Sequence, residues 1–180
     1  MALEDWNNVL AVNLTGVFLS CKHAVKSMKK TGGGAIVCTS SAASLMGYPS
    51  VTMYSATKAG VNGLVRNLSF DIGKWGIRIN AVLPTHGMSP NFLMPPDAPV
   101  VGQSYEEVAG PWDPVVSPIP LKLNRPPNLL DTAKVALFLA SDDSAYMSGV
   151  CIPATDGGTL ARVAIWFEED LNPQPAGSPS

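Results

Sequence analysis

This 180-residue sequence is poor in charge, with Asp, Glu, Lys and Arg at 14% of the chain, and it has no basic excess: 12 Lys and Arg stand against 14 Asp and Glu. A formal charge of -2 gives no positive footprint for nucleic acid and no polybasic run for an anionic membrane, so small molecules or other proteins are the expected partners. No apolar run reaches the ~20 residues needed to span a bilayer. The first residues, Met1-Ala2-Leu3-Glu4-Asp5-Trp6, have neither the charged start nor the apolar stretch of a secretory signal, and a cytoplasmic protein is expected. Cysteine is scarce: Cys21, Cys38 and Cys151 lie far apart without C-x-x-C spacing and read as buried, reduced thiols. The two histidines, His23 and His86, lack a second ligand at workable spacing, so no metal site is expected. Asp142-Asp143 and Glu168-Glu169-Asp170 read as a solvated helix end and a solvated tail.

What the chain has is apolar material, 46% of its residues, enough for one domain with a real core. Trp6, Leu10, Asn13, Val17, Cys21, Ala24 and Met28 recur every three or four positions and predict a helix over 5–30. Lys26, Lys29 and Lys30 suit its C-terminus, and Gly32-Gly33-Gly34 ends it. The brief apolar run after those glycines predicts a parallel strand over 35–40, covered on both faces. Val61, Leu64, Val65, Leu68 and Ile72 form the stripe of a second helix over 54–74, ended by Trp75-Gly76, and a strand follows over 77–83.

Eleven of the sixteen prolines fall between Pro84 and Pro127, which predicts a long loop with short helical pieces. Helical spacing returns over 129–141, and a last strand is expected over 150–155, before Asp156-Gly157-Gly158. Helix and strand alternate, the pattern of an α/β domain. The expected organisation is a catalytic part over 1–163 and a mobile Pro-, Gly- and Ser-rich tail over 164–180.

Tyr54 and Lys58 stand four apart at the start of the second helix, so their side chains share a face. A tyrosine hydroxyl titrates near ~10 alone, and a neighbouring ammonium stabilises the phenolate, which suits the phenol to proton transfer near neutrality. The bare Y-x-x-x-K pattern is equally that of a surface pair. Thr39-Ser40-Ser41 adds context: Ser41 precedes Tyr54 by thirteen residues, at the C-terminal edge of a parallel strand, where open α/β sheets place their sites. A strand-end serine can equally bond its own backbone. Asn13 is the one amide on an otherwise apolar stripe, and a buried amide needs partners; a neighbouring backbone group could supply them.

The run Ala35-Ile36-Val37-Cys38-Thr39-Ser40-Ser41-Ala42-Ala43-Ser44, followed by Tyr54-Ser55-Ala56-Thr57-Lys58, resembles the active-site block of short-chain dehydrogenases/reductases. Val12-Asn13-Leu14-Thr15-Gly16-Val17-Phe18 is similar to the family's asparagine helix. Ile77-Arg78-Ile79-Asn80-Ala81-Val82 is similar to its next strand. Phe138-Leu139-Ala140-Ser141-Asp142, Ser148-Gly149 and Asp156-Gly157-Gly158 follow its C-terminal blocks in order. The resemblance implies the C-terminal part of a Rossmann-type, doubly wound parallel sheet, NAD or NADP as cofactor, an alcohol or ketone substrate, and a homodimer or homotetramer.

It further implies a catalytic tetrad: Tyr54 as acid/base, Lys58 lowering its pKa and binding the nicotinamide ribose, Ser41 bonding the substrate oxygen, and Asn13 holding a water between Lys58 and solvent. Tyr54, Lys58, Pro84, Thr85, Gly87 and Ser89 are the implied cofactor contacts. Met88, Phe92, Leu93, Met94 and Trp112 fall where the family's substrate lid lies, which points to a hydrophobic substrate.

Two departures stand out. The family's T-G-x-x-x-G-x-G turn, which holds the cofactor pyrophosphate at a helix N-terminus, does not occur here, and an N-terminally truncated form is expected. Its first strand should then lack a neighbour, an aggregation liability. Where the family has Pro-Gly after the 77–83 strand, this chain has Pro84-Thr85, which places a side chain beside the expected nicotinamide. A non-catalytic, dimerising form of such an enzyme is the competing expectation.

Overall fold

The computed structural model describes residues 2–47, 50–85, 110–115 and 123–154. A continuous helical rod opens the chain: α1 (Leu3–Leu10), a π-helical turn over Ala11–Thr15, and α2 (Gly16–Thr31). The seven stripe residues from Trp6 to Met28 all turn at least partly inward, and Cys21 is fully buried. The periodicity does not show the π turn, in which the Gly16 N–H bonds to the Ala11 carbonyl five residues back. Gly32, at φ 89°, caps the rod with a left-handed turn.

Strand β1 (Gly34–Thr39), helix α3 (Thr52–Gly73) and strand β2 (Ile77–Pro84) then make a β-α-β crossover, and α4 (Leu129–Ala140) leads to β3 (Cys151–Ala154). The described strands form one parallel sheet in the order β1-β2-β3, with Cys38 opposite Ala81 and Ala81 opposite Cys151. β1 is thus an edge strand among the described residues. The chain starts β1 close against the turn before β2. A Cβ on Gly33 would stand 2.7 Å from the Gly76 carbonyl oxygen, and Gly33 has φ +137°, so both space and backbone demand glycine there.

β2 is buried along almost its whole length, which explains its unbroken apolar run. Ile77, Ile79, Ala81 and Leu83 point to one face and pack with Cys21 of α2 and Val61, Val65 and Ile72 of α3. Complete burial of a side chain such as Ile79 contributes roughly 1.5–3 kcal/mol. Arg78 and Asn80 point to the other face, toward α4. The Arg78 guanidinium donates to the carbonyls of Leu139 (3.1 Å), Ser141 (2.9 Å) and Met147 (3.4 Å) and to Ser144 Oγ (3.0 Å). Asn80 donates to the Met147 carbonyl at 2.8 Å and accepts from the Val150 N–H at 3.0 Å, fixing the entry to β3. With helices on both faces, the sheet is doubly wound.

Helix α4 carries a capping box between Asn128 and Asp131. Arg125 pairs with Asp131 at 2.7 Å and holds that carboxyl below its usual range. Among the described residues no helix is long and apolar enough to cross a membrane. The expected boundary at 163/164, the tail, and the Asp156-Gly157-Gly158 block lie outside the described residues.

Candidate active site

Three side-chain contacts join α3 to the end of β1. Lys58 Nζ donates to the Thr39 carbonyl at 2.9 Å, and Ser40 Oγ donates to the Lys58 carbonyl at 3.0 Å. One turn on, buried Asn62 donates through Nδ2 to Ser44 Oγ at 2.7 Å, and Ser44 donates to the Ser41 carbonyl at 2.5 Å. The serine block is therefore held to the helix that carries Tyr54 and Lys58.

Ser41 caps the short 3-10 turn Ala42–Ser44 by accepting from the Ala43 N–H at 3.2 Å. Both functions weighed for this serine are thus compatible: its oxygen bonds the local backbone, while its O–H proton stays available. The Lys58 ammonium lies 5.5 Å from the centroid of the Tyr54 ring, within reach of a cation–π interaction. Tyr54 is 37% exposed, so it is open to a ligand. Burial pushes the Lys58 pKa below its usual value, while the neighbouring Cys38 works the other way; Cys38 stays protonated, so burial prevails.

Asn13 sits in the π turn, half-buried, and its side chain makes no hydrogen bond to another described residue. The π turn packs against α3, where Gly60 makes room: a Cβ there would come within 2.8 Å of Leu14 Cδ2. A groove of about 560 Å³ runs between the helical rod and β1, lined by Val12, Val17, Cys21, Ile36, Cys38 and Lys58 among others. Pro84 and Thr85 close β2 at the same C-terminal edge of the sheet as Thr39. Thr85 Oγ1 is buried without a partner among the described residues. Gly87 and Ser89 lie outside the described residues, as do His86, Met88, Phe92, Leu93 and Met94. Trp112 is described, and its indole donates to the Leu123 carbonyl at 2.9 Å.

Reading the sequence alone missed Ser40, Ser44 and Asn62. Asn62 had a usable signal: it is four residues beyond Lys58 on the apolar stripe of α3, the same anomaly that singles out Asn13.

The family described as enoyl-(acyl carrier protein) reductase matches residues 1–159. An uncharacterized oxidoreductase of Thermotoga maritima is 39% identical over 158 residues, covering 88% of this chain and 59% of the relative. The (3R)-3-hydroxyacyl-CoA dehydrogenase of Rattus norvegicus is 37% identical over 158 residues, with 87% and 56% covered. Among solved structures, a 7α-hydroxysteroid dehydrogenase complexed with NADH and 7-oxo glycochenodeoxycholic acid superposes with a TM-score of 0.69 at 27% identity, over 88% of this chain and 56% of that one. The chain belongs to the short-chain dehydrogenase/reductase family, with that family's α/β Rossmann-like fold. It spans less than 60% of the length of these relatives.

Proposed function

We propose that the chain is the proton-transfer part of an NAD- or NADP-dependent oxidoreductase acting on an apolar secondary alcohol or ketone, with Tyr54 as acid/base. The observation that carries this reading is the Tyr54–Lys58 pair at the start of α3, with Lys58 Nζ tied to the Thr39 carbonyl beside Ser41. In carbonyl reduction the Tyr54 hydroxyl gives its proton to the substrate oxygen; in alcohol oxidation it takes one. The Lys58 ammonium favours negative charge on the phenol oxygen, and only one of its N–H groups is engaged by Thr39, leaving others for a ribose. Ser41 directs its free O–H to the substrate oxygen, and the Asn13 amide is free to hold a water on the solvent side of Lys58.

A nicotinamide cofactor supplies or takes the hydride when bound. The residues fit such a group at this edge of the sheet: the unpartnered Thr85 hydroxyl is costly until a polar group reaches it, and a carboxamide has both a donor and an acceptor to offer. Tyr54, Lys58, Pro84, Thr85, Gly87 and Ser89 would hold it. Alcohols on apolar bodies also fit the names of the relatives, a hydroxyacyl-CoA and a hydroxysteroid dehydrogenase.

A second reading, a non-catalytic form that self-associates as a dimer or tetramer, is favoured by exposed Phe18 and Leu19 on α2 and Phe70, 90% exposed, on α3. Titrating NADH and NADPH into the purified chain by fluorescence separates the two. Micromolar binding is expected for the enzyme; a dimer that binds neither nucleotide would leave only the second reading.

A further inference from the structure

Two thiols with no part in the proposed proton transfer face each other beside the site. Cys21 Sγ of α2 and Cys38 Sγ of β1 are 3.8 Å apart, and both residues are buried. Both also line the groove between the rod and β1, so a reagent as small as a peroxide has a path to them. We propose that Cys21 and Cys38 form a reversible redox site, oxidised by a hydroperoxide to an intramolecular disulfide that bridges α2 to β1.

The geometry favours this pair and rules out the pairing of Cys38 with Cys151. A disulfide needs its sulfurs at ~2.05 Å, so the pair must close by less than about 2 Å, within reach of a thiol rotation and a small shift of the helix. Cys151, the third free cysteine, stands two strands from Cys38 across Ala81. Strands are spaced ~4.8 Å apart, which puts those backbones roughly 9.6 Å apart, beyond the ~7 Å that a disulfide spans.

The roles of the two sulfurs also separate. The two sulfurs share one hydrogen bond, which draws the Cys21 thiol down and pushes Cys38 up, so Cys21 is assigned as the nucleophile. The Cys21 thiolate attacks one peroxide oxygen, the O–O bond breaks, and the released oxygen leaves as water after taking up a proton. Cys21 is then a sulfenic acid. The Cys38 sulfur attacks it, the S–S bond forms, the S–O bond breaks, and the oxygen departs as a second water with the Cys38 proton. The thiols lose two electrons and hydrogen peroxide gains them; an added dithiol reverses the change. Cys38 adjoins Thr39, so the bridge forms next to the carbonyl that holds Lys58.

This inference does not rest on the proposed activity, and its readout is mass. The purified chain is treated with hydrogen peroxide, denatured, alkylated, and digested with trypsin without reduction. Lys22 and Lys30 lie between the two cysteines, so they fall in separate peptides. The three free thiols should drop to one, with a loss of two hydrogen atoms, a cross-link between the Cys21 and Cys38 peptides, and full reversal by dithiothreitol. The Cys151→Ser chain should behave the same way, and Cys38→Ser should instead carry an added oxygen on Cys21. Oxygen adducts on the unaltered chain without a cross-link, linkage through Cys151 or between chains, or no loss of thiols would each overturn the proposal.

Discussion

Two polar corners of this sheet are built from similar materials and finished differently. Around Arg78 and Asn80, guanidinium and amide groups meet carbonyls from Leu139, Ser141 and Met147, and both ends of the Asn80 amide are engaged. Around Lys58, the ammonium gives one bond to Thr39, Tyr54 is open to solvent, Ser41 keeps its proton, and Thr85 and Asn62 each have a buried oxygen without a partner among the described residues. A saturated corner has no capacity left to bind anything, and its worth is stability. An unsaturated one holds its groups in place while leaving their bonding capacity for something outside the chain.

Substitutions should separate the corners. The largest expected effect is Tyr54→Phe, which should lower turnover of the best alcohol or ketone substrate by ~10²–10⁴-fold while leaving the melting temperature unchanged. Retained turnover, followed by nicotinamide absorbance, would remove Tyr54 from the chemistry. Arg78→Met should do the reverse and cost about 3 kcal/mol or more in urea unfolding, because it removes four hydrogen bonds from a charged donor that tie β2 to the end of α4 and the turn before β3. Asn62→Leu lies between the two. It frees Ser44, so turnover should fall about tenfold at a stability cost of ~1–2 kcal/mol. A fall in stability with turnover untouched would place Asn62 with the saturated corner.

The smallest effect concerns pH. Because burial lowers the Lys58 pKa below its ordinary 10.5, the folded chain sheds that proton before the unfolded chain does. Below the folded value both states are protonated and the burial penalty is paid in full. Between the folded value and 10.5 the penalty fades, so stability gains from this group as pH rises. The difference in unfolding free energy between the natural chain and Lys58→Met, measured across that window, should change in the natural chain's favour. A difference that stays flat would mean the ammonium is solvated.

The sheet and its helices were legible because period carries them. The strand expected over 77–83 appears as Ile77–Pro84, and the helix expected over 129–141 appears as Leu129–Ala140. That Tyr54 and Lys58 share one helix and that Ser41 stands just past a strand end was legible, because spacing along one helix and one strand is a local property. The π turn was not, since one wide turn barely disturbs a stripe of apolar residues. Nor were the contacts of Ser40 with Lys58 and of Asn62 with Ser44, each spanning 18 residues, because they depend on how α3 lies across β1. Cys21 and Cys38 are buried thiols, as the sequence predicts, while Cys151 is only half-buried. What the sequence withheld was that the first two face one another.

The π turn at Ala11–Thr15 also bears on how this helix can change over generations. A wide turn holds one residue more than the α-helix around it, so it is a place where chain length can shift by one without breaking the rod. Losing that residue would restore ordinary winding and leave the two halves in phase, because the wide turn absorbs the ~100° that one extra α-helical residue would add. The rod would survive, and the inward faces of α1 and α2 would still align. The wide turn around Asn13 therefore lets the rod carry one more residue at the site without rotating either half away from the core.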